Sequence, residues 1–134
     1  MSLPRSMVVI VVLCVACDRA PTGPSSVEQG VWGGDHVTLT VGDAGNHLEF
    51  DCAHGEIPGV LTANHGEIKA TGTFVREHGG PIRIDEPVDT HPALYSGSLS
   101  TSTMQLTIRL TDSGEAIGSF TLVRGATGRV FKCL

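Results

Sequence analysis

Apolar and polar residues alternate with a period of two along most of the chain after Val31, the pattern typical of half-buried β-strands. Residues 37–41 and 47–52 alternate in this way on either side of the turn-forming segment 42–46, and together they predict a hairpin. This region carries no stretch with apolar residues at the helical spacing of three and four. Further strands are predicted at 57–61, 68–74, 93–100, 103–111, 116–124 and 130–134.

Regular spacing of these strands predicts an all-β fold, a small antiparallel up-and-down barrel of about eight strands. The connections between them are mostly of hairpin length, which favours a meander over Greek-key crossings. A closed barrel also removes the exposed sheet edges that would pair between molecules. Small residues at inward positions fit the narrow interior of such a barrel, and they are Ala70, Gly72, Gly97 and Gly118.

The first residues differ in character from the rest of the chain. One positive charge, Arg5, precedes an apolar run from Met7 to Cys17, and a stretch rich in Pro, Gly and Ser follows, which is the layout of a signal peptide. The run falls short of the roughly 20 apolar residues that span a bilayer. Residues 18–29 show no apolar periodicity and predict a flexible segment.

The segment Leu13-Cys14-Val15-Ala16-Cys17 resembles the lipobox of bacterial lipoproteins, although Cys14 stands where that family usually has Leu. The resemblance implies that residues 1–16 are a lipoprotein signal peptide and that Cys17 carries fatty-acyl chains such as palmitate. Residues 17–29 would then tether a barrel domain, residues 30–134, to a membrane of the cell envelope, facing the periplasm or the exterior. The alternative is an ordinary secretory leader with a chance cysteine.

Residues 30–32, Gly-Val-Trp, are similar to the Gly-x-Trp start of calycin barrels, the group that includes lipocalins, avidins and some bacterial protease-inhibitor lipoproteins. In those families a basic residue from the last part of the barrel packs across the tryptophan. The resemblance implies that Arg124 forms this structural pair with Trp32, with Arg129 as the second candidate. A guanidinium over an indole contributes about 0.5–2 kcal/mol.

Cys52 and Cys133 are the cysteines that remain once the leader is removed and Cys17 is acylated. In an oxidising compartment two remaining cysteines predict a disulfide. Both share a strand face with inward residues, so the bridge would join the second predicted strand to the last one, 130–134. A redox pair or thiolate metal site is disfavoured because the chain has no Cys-x-x-Cys motif.

The net charge and the motifs of the sequence disfavour several classes of function. Nine Lys and Arg against 14 Asp and Glu give a net charge of −5, which disfavours nucleic acid as a partner. The sequence lacks a Gly-x-Ser-x-Gly elbow, a His-Glu-x-x-His motif and a phosphate-binding loop. We therefore expect a protein that is not an enzyme and needs no cofactor, while recognising that catalytic groups meet in space rather than in sequence.

The longest predicted connection, residues 77–92, is the candidate binding loop because long loops on a rigid barrel are commonly functional. The binding candidates on it are His78, Ile82, Arg83, Ile84, Asp85 and His91. A metal site is the less favoured interpretation of the same loop, with His78, Asp85, Glu86, Asp89 and His91 as ligands.

Three functions are compatible with this sequence. The first is a protein-binding or inhibitor-like envelope lipoprotein that uses its loops, the second a carrier of a small apolar ligand in the barrel lumen, and the third a metal-binding or hydrolytic protein. We favour the first because an interior of this size is nearly filled by its own side chains. The predicted inward side chains include Leu39, Phe50, Phe74, Leu106, Ile108 and Leu122.

Overall fold

A computed structural model of the chain describes residues 23–134. The predicted signal peptide and the lipid-attachment residue, Cys17, lie outside the described residues. Residues 23–134 form strands, turns and irregular segments, and they include no helix that is long and apolar enough to cross a membrane.

Residues 23–134 contain ten strands, and eight of them close into a barrel. The strands are β1 (Ser25–Ser26), β2 (Gly30–Gly34), β3 (Val37–Val41), β4 (Gly45–Phe50), β5 (Ala53–Pro58), β6 (Thr62–Asn64), β7 (Glu67–Arg76), β8 (Asp89–Ser100), β9 (Thr103–Leu110) and β10 (Ala116–Arg124). The barrel strands pair antiparallel in chain order, from β2 to β5 and then from β7 to β10, and β10 pairs back onto β2. β6 pairs with the first residues of β7, outside the closed ring, and β1 pairs with β6.

This architecture confirms the predicted all-β up-and-down barrel. The alternation of apolar and polar residues determines which face of each strand points into the barrel. In β9, every second residue from Met104 to Leu110 is buried. All six predicted inward side chains are buried, and Trp32 and Tyr95 add the two largest side chains to the same core. The hydroxyl of Tyr95 donates to the carbonyl of Thr73 over 2.6 Å, so this polar group is satisfied inside the barrel.

Two of the small residues that were predicted to fit the narrow barrel interior, Gly72 and Gly97, have a different role. A Cβ at Gly72 would lie 2.0 Å from the carbonyl oxygen of Glu56, and one at Gly97 would lie 1.7 Å from that of Gln105. Both positions therefore permit close backbone approach between neighbouring strands. Gly72 stands where β5 leaves the edge of β7 and β6 takes its place.

Two predicted strands were placed wrongly. The strand predicted at 37–41 is β3, and β2 precedes it through a turn at Asp35 and His36, where His36 adopts a left-handed φ of 66°. The element predicted at 57–61 is β5, which begins at Ala53 and ends at Pro58. Residues 130–134 are not a strand, because the barrel closes between β10 and β2 without them.

The predicted tether, residues 17–29, was too long. Ser25–Ser26 pair with β6, and Val27 is buried against the core, so residues 25–29 belong to the folded domain. The backbone carbonyl of Glu28 accepts a hydrogen bond of 3.1 Å from Nε1 of Trp32. A tether can therefore extend no further than residue 24.

The barrel has two distinct ends. The tether end carries Gly23 beside the turn at residues 65–66, together with the turn that joins β8 to β9. The loop end carries the connections β2–β3, β4–β5, β7–β8 and β9–β10. The C-terminal tail, residues 125–134, runs from the tether end to the loop end, because Gly125 bonds to Val31 and its last residue to Gly80.

Candidate functional site

The β7–β8 connection is the longest in the described part of the chain, and it covers residues 77–88. It is shorter than predicted because β8 already begins at Asp89, with His91 paired to Phe74 in the register of β7. The predicted candidates therefore do not all lie on one loop, since His91 lies on strand β8. The candidates that lie on the loop itself are His78, Ile82, Arg83, Ile84, Asp85 and Glu86.

A disulfide holds the C-terminal tail against the loop end. Cys52 and Cys133 are bonded, with Cα atoms 4.9 Å apart, which confirms the predicted pairing. The predicted setting was wrong: Cys52 lies in the β4–β5 turn at a φ of 49°, and Cys133 lies in the tail, so no pair of strands is joined. The backbone N–H of Phe131 donates to Asp51 over 2.8 Å, and that of Gly80 donates to Leu134 over 3.1 Å.

Lys132 is a site residue that the sequence analysis missed. Its amino group donates to Glu77 over 2.6 Å and to the carbonyl of Ala53 over 2.9 Å, and it also pairs with Glu49. Burial alone would lower the pKa of Lys132, but its hydrogen bonds to the two carboxylates raise it. Lys132 therefore remains charged and fastens the tail to the first residue of the loop.

A cleft of about 550 Å³ opens between the loop, the end of β7 and the disulfide. Its apolar wall is formed by Val75, Ile82, Pro87, Val88 and Cys133. Its polar rim is formed by His54, Arg76, Glu77, His78, Glu86 and Asp89. The rim thus carries three carboxylates and one guanidinium, and that guanidinium is bound by Glu115 over 2.6 Å.

Exposed apolar side chains are concentrated around this cleft. Among the described residues eight large hydrophobic side chains are exposed, and five of them lie on the loop or the tail at the loop end. Each of these five is at least 66% exposed, and they are Ile82, Ile84, Val88, Phe131 and Leu134. A grouping of this kind on a soluble surface marks an interaction site more often than scattered single residues do.

Four of the five candidate metal ligands fall into two separate pairings, neither of which includes Asp85. His78 pairs with Glu86 over 2.9 Å. His91 binds Asp89 through Nε2 and Asp112 through Nδ1, over 2.8 and 2.7 Å, so these carboxylates lie on opposite sides of one ring. Within residues 23–134 no group of three or more His, Cys, Asp or Glu side chains could hold a metal ion.

Histidine–carboxylate pairing extends well beyond the loop. Five of the six histidines have a carboxylate oxygen within 3.4 Å. The pKa of His91 is raised mainly by its hydrogen bond to Asp112, and that of His47 by its bonds to Glu49 and Glu56. The pKa of His78 is raised by the Gly79 carbonyl and by its carboxylate partner. Positions i and i+2 of one strand, as in His47 and Glu49, are the signal that the sequence offered for these pairs.

The predicted structural pair lies at the opposite end of the barrel. Trp32 is 1% exposed, and Arg124 is its register partner on β10. The guanidinium of Arg124 pairs with the carboxylate of Glu28, whose backbone carbonyl accepts the indole hydrogen bond. Arg129, the second candidate, pairs with Asp35 at the β2–β3 turn.

No family model, no curated protein and no solved structure matches this chain. The function must therefore be argued from the chain's own residues.

The paired histidines predict that the thermal midpoint is highest between about pH 5 and pH 6.5. The raised pKa values of His47, His78 and His91 add stability below their ordinary value of 6.5, and this is lost as the pH rises through the folded-state values. The pKa of Asp112 is lowered mainly by His91, and that contribution is lost as the pH falls through its folded-state value. Calorimetry from pH 4 to pH 8 tests this, and His91→Gln should flatten the alkaline decline. A midpoint that rises steadily to pH 8 would contradict it.

Proposed function

We propose that the protein is a lipid-anchored lipoprotein of the bacterial cell envelope whose calycin-like barrel is a non-catalytic binding module. Its partner is an envelope protein, bound in an inhibitor-like manner by the loop end of the barrel. Acylated Cys17 and the following residues hold the domain on the membrane, and the barrel serves as a rigid support for the loop and the tail.

The observation that carries this proposal is the contrast between the interior and the loop end. Inward positions are occupied by large buried side chains, including Leu39, Leu106 and Ile108. Five of the eight exposed large hydrophobic side chains among the described residues lie instead on residues 77–88 and on the tail, at the end that carries the open cleft. Apolar groups that a fold leaves in water at one end favour contact with a partner, whereas a carrier would place them around a cavity in the lumen.

The orientation of the chain also supports this proposal. Gly23 lies at the tether end, so an anchored N-terminus leaves the barrel at the end opposite the cleft. Seven residues, 18–24, separate Cys17 from β1. A domain held in this way presents its loop end away from the membrane, where an envelope protein can reach it.

Anchoring is tested by Cys17→Ala, which should release the protein from membranes because the acylated thiol is removed. Detergent phase partitioning and membrane fractionation are the measurements, and Cys14→Ala is the matched control because Cys14 lies within the removed leader. A Cys17→Ala variant that still partitions like the unmodified sequence would contradict the lipoprotein interpretation.

Binding is tested by replacing the exposed apolar residues of the loop. The triple variant Ile82→Ser, Ile84→Ser and Val88→Ser should lose its cross-linked partner in intact cells while its thermal midpoint changes little, because these side chains are already in water. The matched control places serine at the three exposed valines at the tether end, Val31, Val60 and Val123.

The same pair of variants separates the alternatives. If the loop variant keeps its partner and the control variant loses it, the binding surface lies at the tether end. A rise in the thermal midpoint with apolar ligands or divalent metals, equal in both variants, would favour a lumen carrier or a metal-binding protein instead.

A further inference from the structure

We infer that the cleft at the loop end binds a basic, partly apolar segment of a protein, in which leucine-like side chains alternate with lysine or arginine. This inference rests on the proposed function and names the chemistry of its partner. Three features of the described residues lead to it: the composition of the cleft, the sign of the charge on its rim, and the extent of the surrounding apolar surface.

The cleft wall accommodates an apolar side chain. Val75 lines it from the end of β7, Cys133 lines it from the disulfide, and Ile82 and Val88 line it from the loop. A volume of about 550 Å³ holds more than one side chain. Since Ile82 and Val88 are largely exposed, covering them removes apolar surface from water and favours binding.

The rim of the cleft selects a cation. Glu77, Glu86 and Asp89 line it, while the guanidinium of Arg76 is bound by Glu115. Lys132 shares its single charge between Glu77 and Glu49, and the carboxylates of Glu86 and Asp89 remain to attract an incoming positive charge. Their partners, His78 and His91, are imidazoles that lose their charge as the pH rises. A rim of this kind attracts basic partners and repels acidic ones, and it does so more strongly at higher pH.

The extent of the exposed apolar surface indicates that the partner is a protein segment and not a small cationic molecule. Ile84, Phe131 and Leu134 are exposed at the same end, and they do not line the cleft. A small ligand in the cleft would leave these three side chains in water, whereas an extended segment crossing the loop and the tail covers them. An anionic lipid surface is disfavoured, because the acidic rim would repel it.

The test titrates the isotope-labelled full chain with three capped peptides and follows backbone amide signals by NMR. One peptide alternates lysine and leucine, the second alternates glutamate and leucine, and the third alternates lysine and serine. We expect the lysine–leucine peptide to shift signals of Val75, Ile82 and Val88, and to bind at least about tenfold more tightly than either of the others. Its affinity should be greater at pH 8 than at pH 5.5, because the rim loses positive charge from His78 and His91 as the pH rises.

Variants assign the effect to particular side chains. Glu86→Gln with Asp89→Asn should weaken the lysine–leucine peptide at least about fivefold, and Ile82→Ser should do the same through the apolar wall. The matched controls at the tether end are Glu67→Gln and Val60→Ser, which should leave its affinity unchanged. Amide spectra of each variant show independently whether the barrel is folded.

Several results would overturn the inference. They are equal affinity for the glutamate–leucine peptide, shifts centred on the tether end, and no binding of any peptide. None of these results decides the proposed function. That function is tested by the loss of the cellular partner in the loop variant, and this experiment uses no peptide. A failed inference with a positive cellular result would mean that the partner has another chemistry.

Discussion

Cys133→Ser is expected to lower the free energy of unfolding by roughly 4.5 kcal/mol. The bridge joins residues separated by 81 positions, so it removes much of the conformational freedom of the unfolded chain. For a domain of this size the thermal midpoint should fall by roughly 15 °C. Chemical and thermal unfolding of the unreduced protein and the variant measure the difference.

The disulfide offers a built-in control. Cys52→Ser and the double variant should match Cys133→Ser, because each removes the same bridge and neither cysteine side chain is part of the buried core. Reduction of the unmodified protein should give the same midpoint. Two free thiols in non-reduced peptides, or a midpoint that reduction leaves unchanged, would contradict the assignment.

Trp32→Ala is expected to cost roughly 3–5 kcal/mol, because it removes the largest buried side chain of the barrel and leaves a cavity. Loss of the hydrogen bond to the Glu28 carbonyl adds to this cost, since the indole N–H fixes the N-terminal segment across the tether end. Denaturant unfolding gives the value directly.

Two further substitutions separate these contributions. Trp32→Phe retains a ring in the core and loses the N–H, so it should cost clearly less than Trp32→Ala. Val31→Ala is the matched exposed control on the same strand, and its effect should stay within about 0.5 kcal/mol. An unchanged midpoint for Trp32→Ala would mean that the indole is not part of the core.

The barrel was predictable from the sequence because one face of each strand is buried and the other is solvated. That condition imposes a period of two, and segments such as 103–110 display it without interruption. The same criterion was misleading at 130–134, where Phe131 and Cys133 stand on either side of a lysine although the segment forms no strand. The tail is positioned by Cys133 and Lys132, through long-range contacts that periodicity does not encode.

The candidate site was predicted in part. Loop length and the apolar residues Ile82 and Ile84 within a polar segment identified one half of the loop end. The other half, Phe131 and Leu134, was assigned to a strand, so its position beside the loop could not be recognised. The pair of His91 and Asp112 was also hidden, because His91 lies on β8 and Asp112 on the β9–β10 connection, and they meet only after β8 and β9 have paired.

The most direct measurement of the central claim is site-specific photo-cross-linking in intact cells. A photoreactive residue at Ile84 is compared with one at Val60, an exposed apolar position at the tether end. If the loop end is the binding surface, Ile84 should give a discrete adduct with an envelope protein, Val60 should give none, and serine at Ile82 and Val88 should abolish the adduct. Adducts from Val60 alone, or an adduct at Ile84 that survives those serine substitutions, would contradict it.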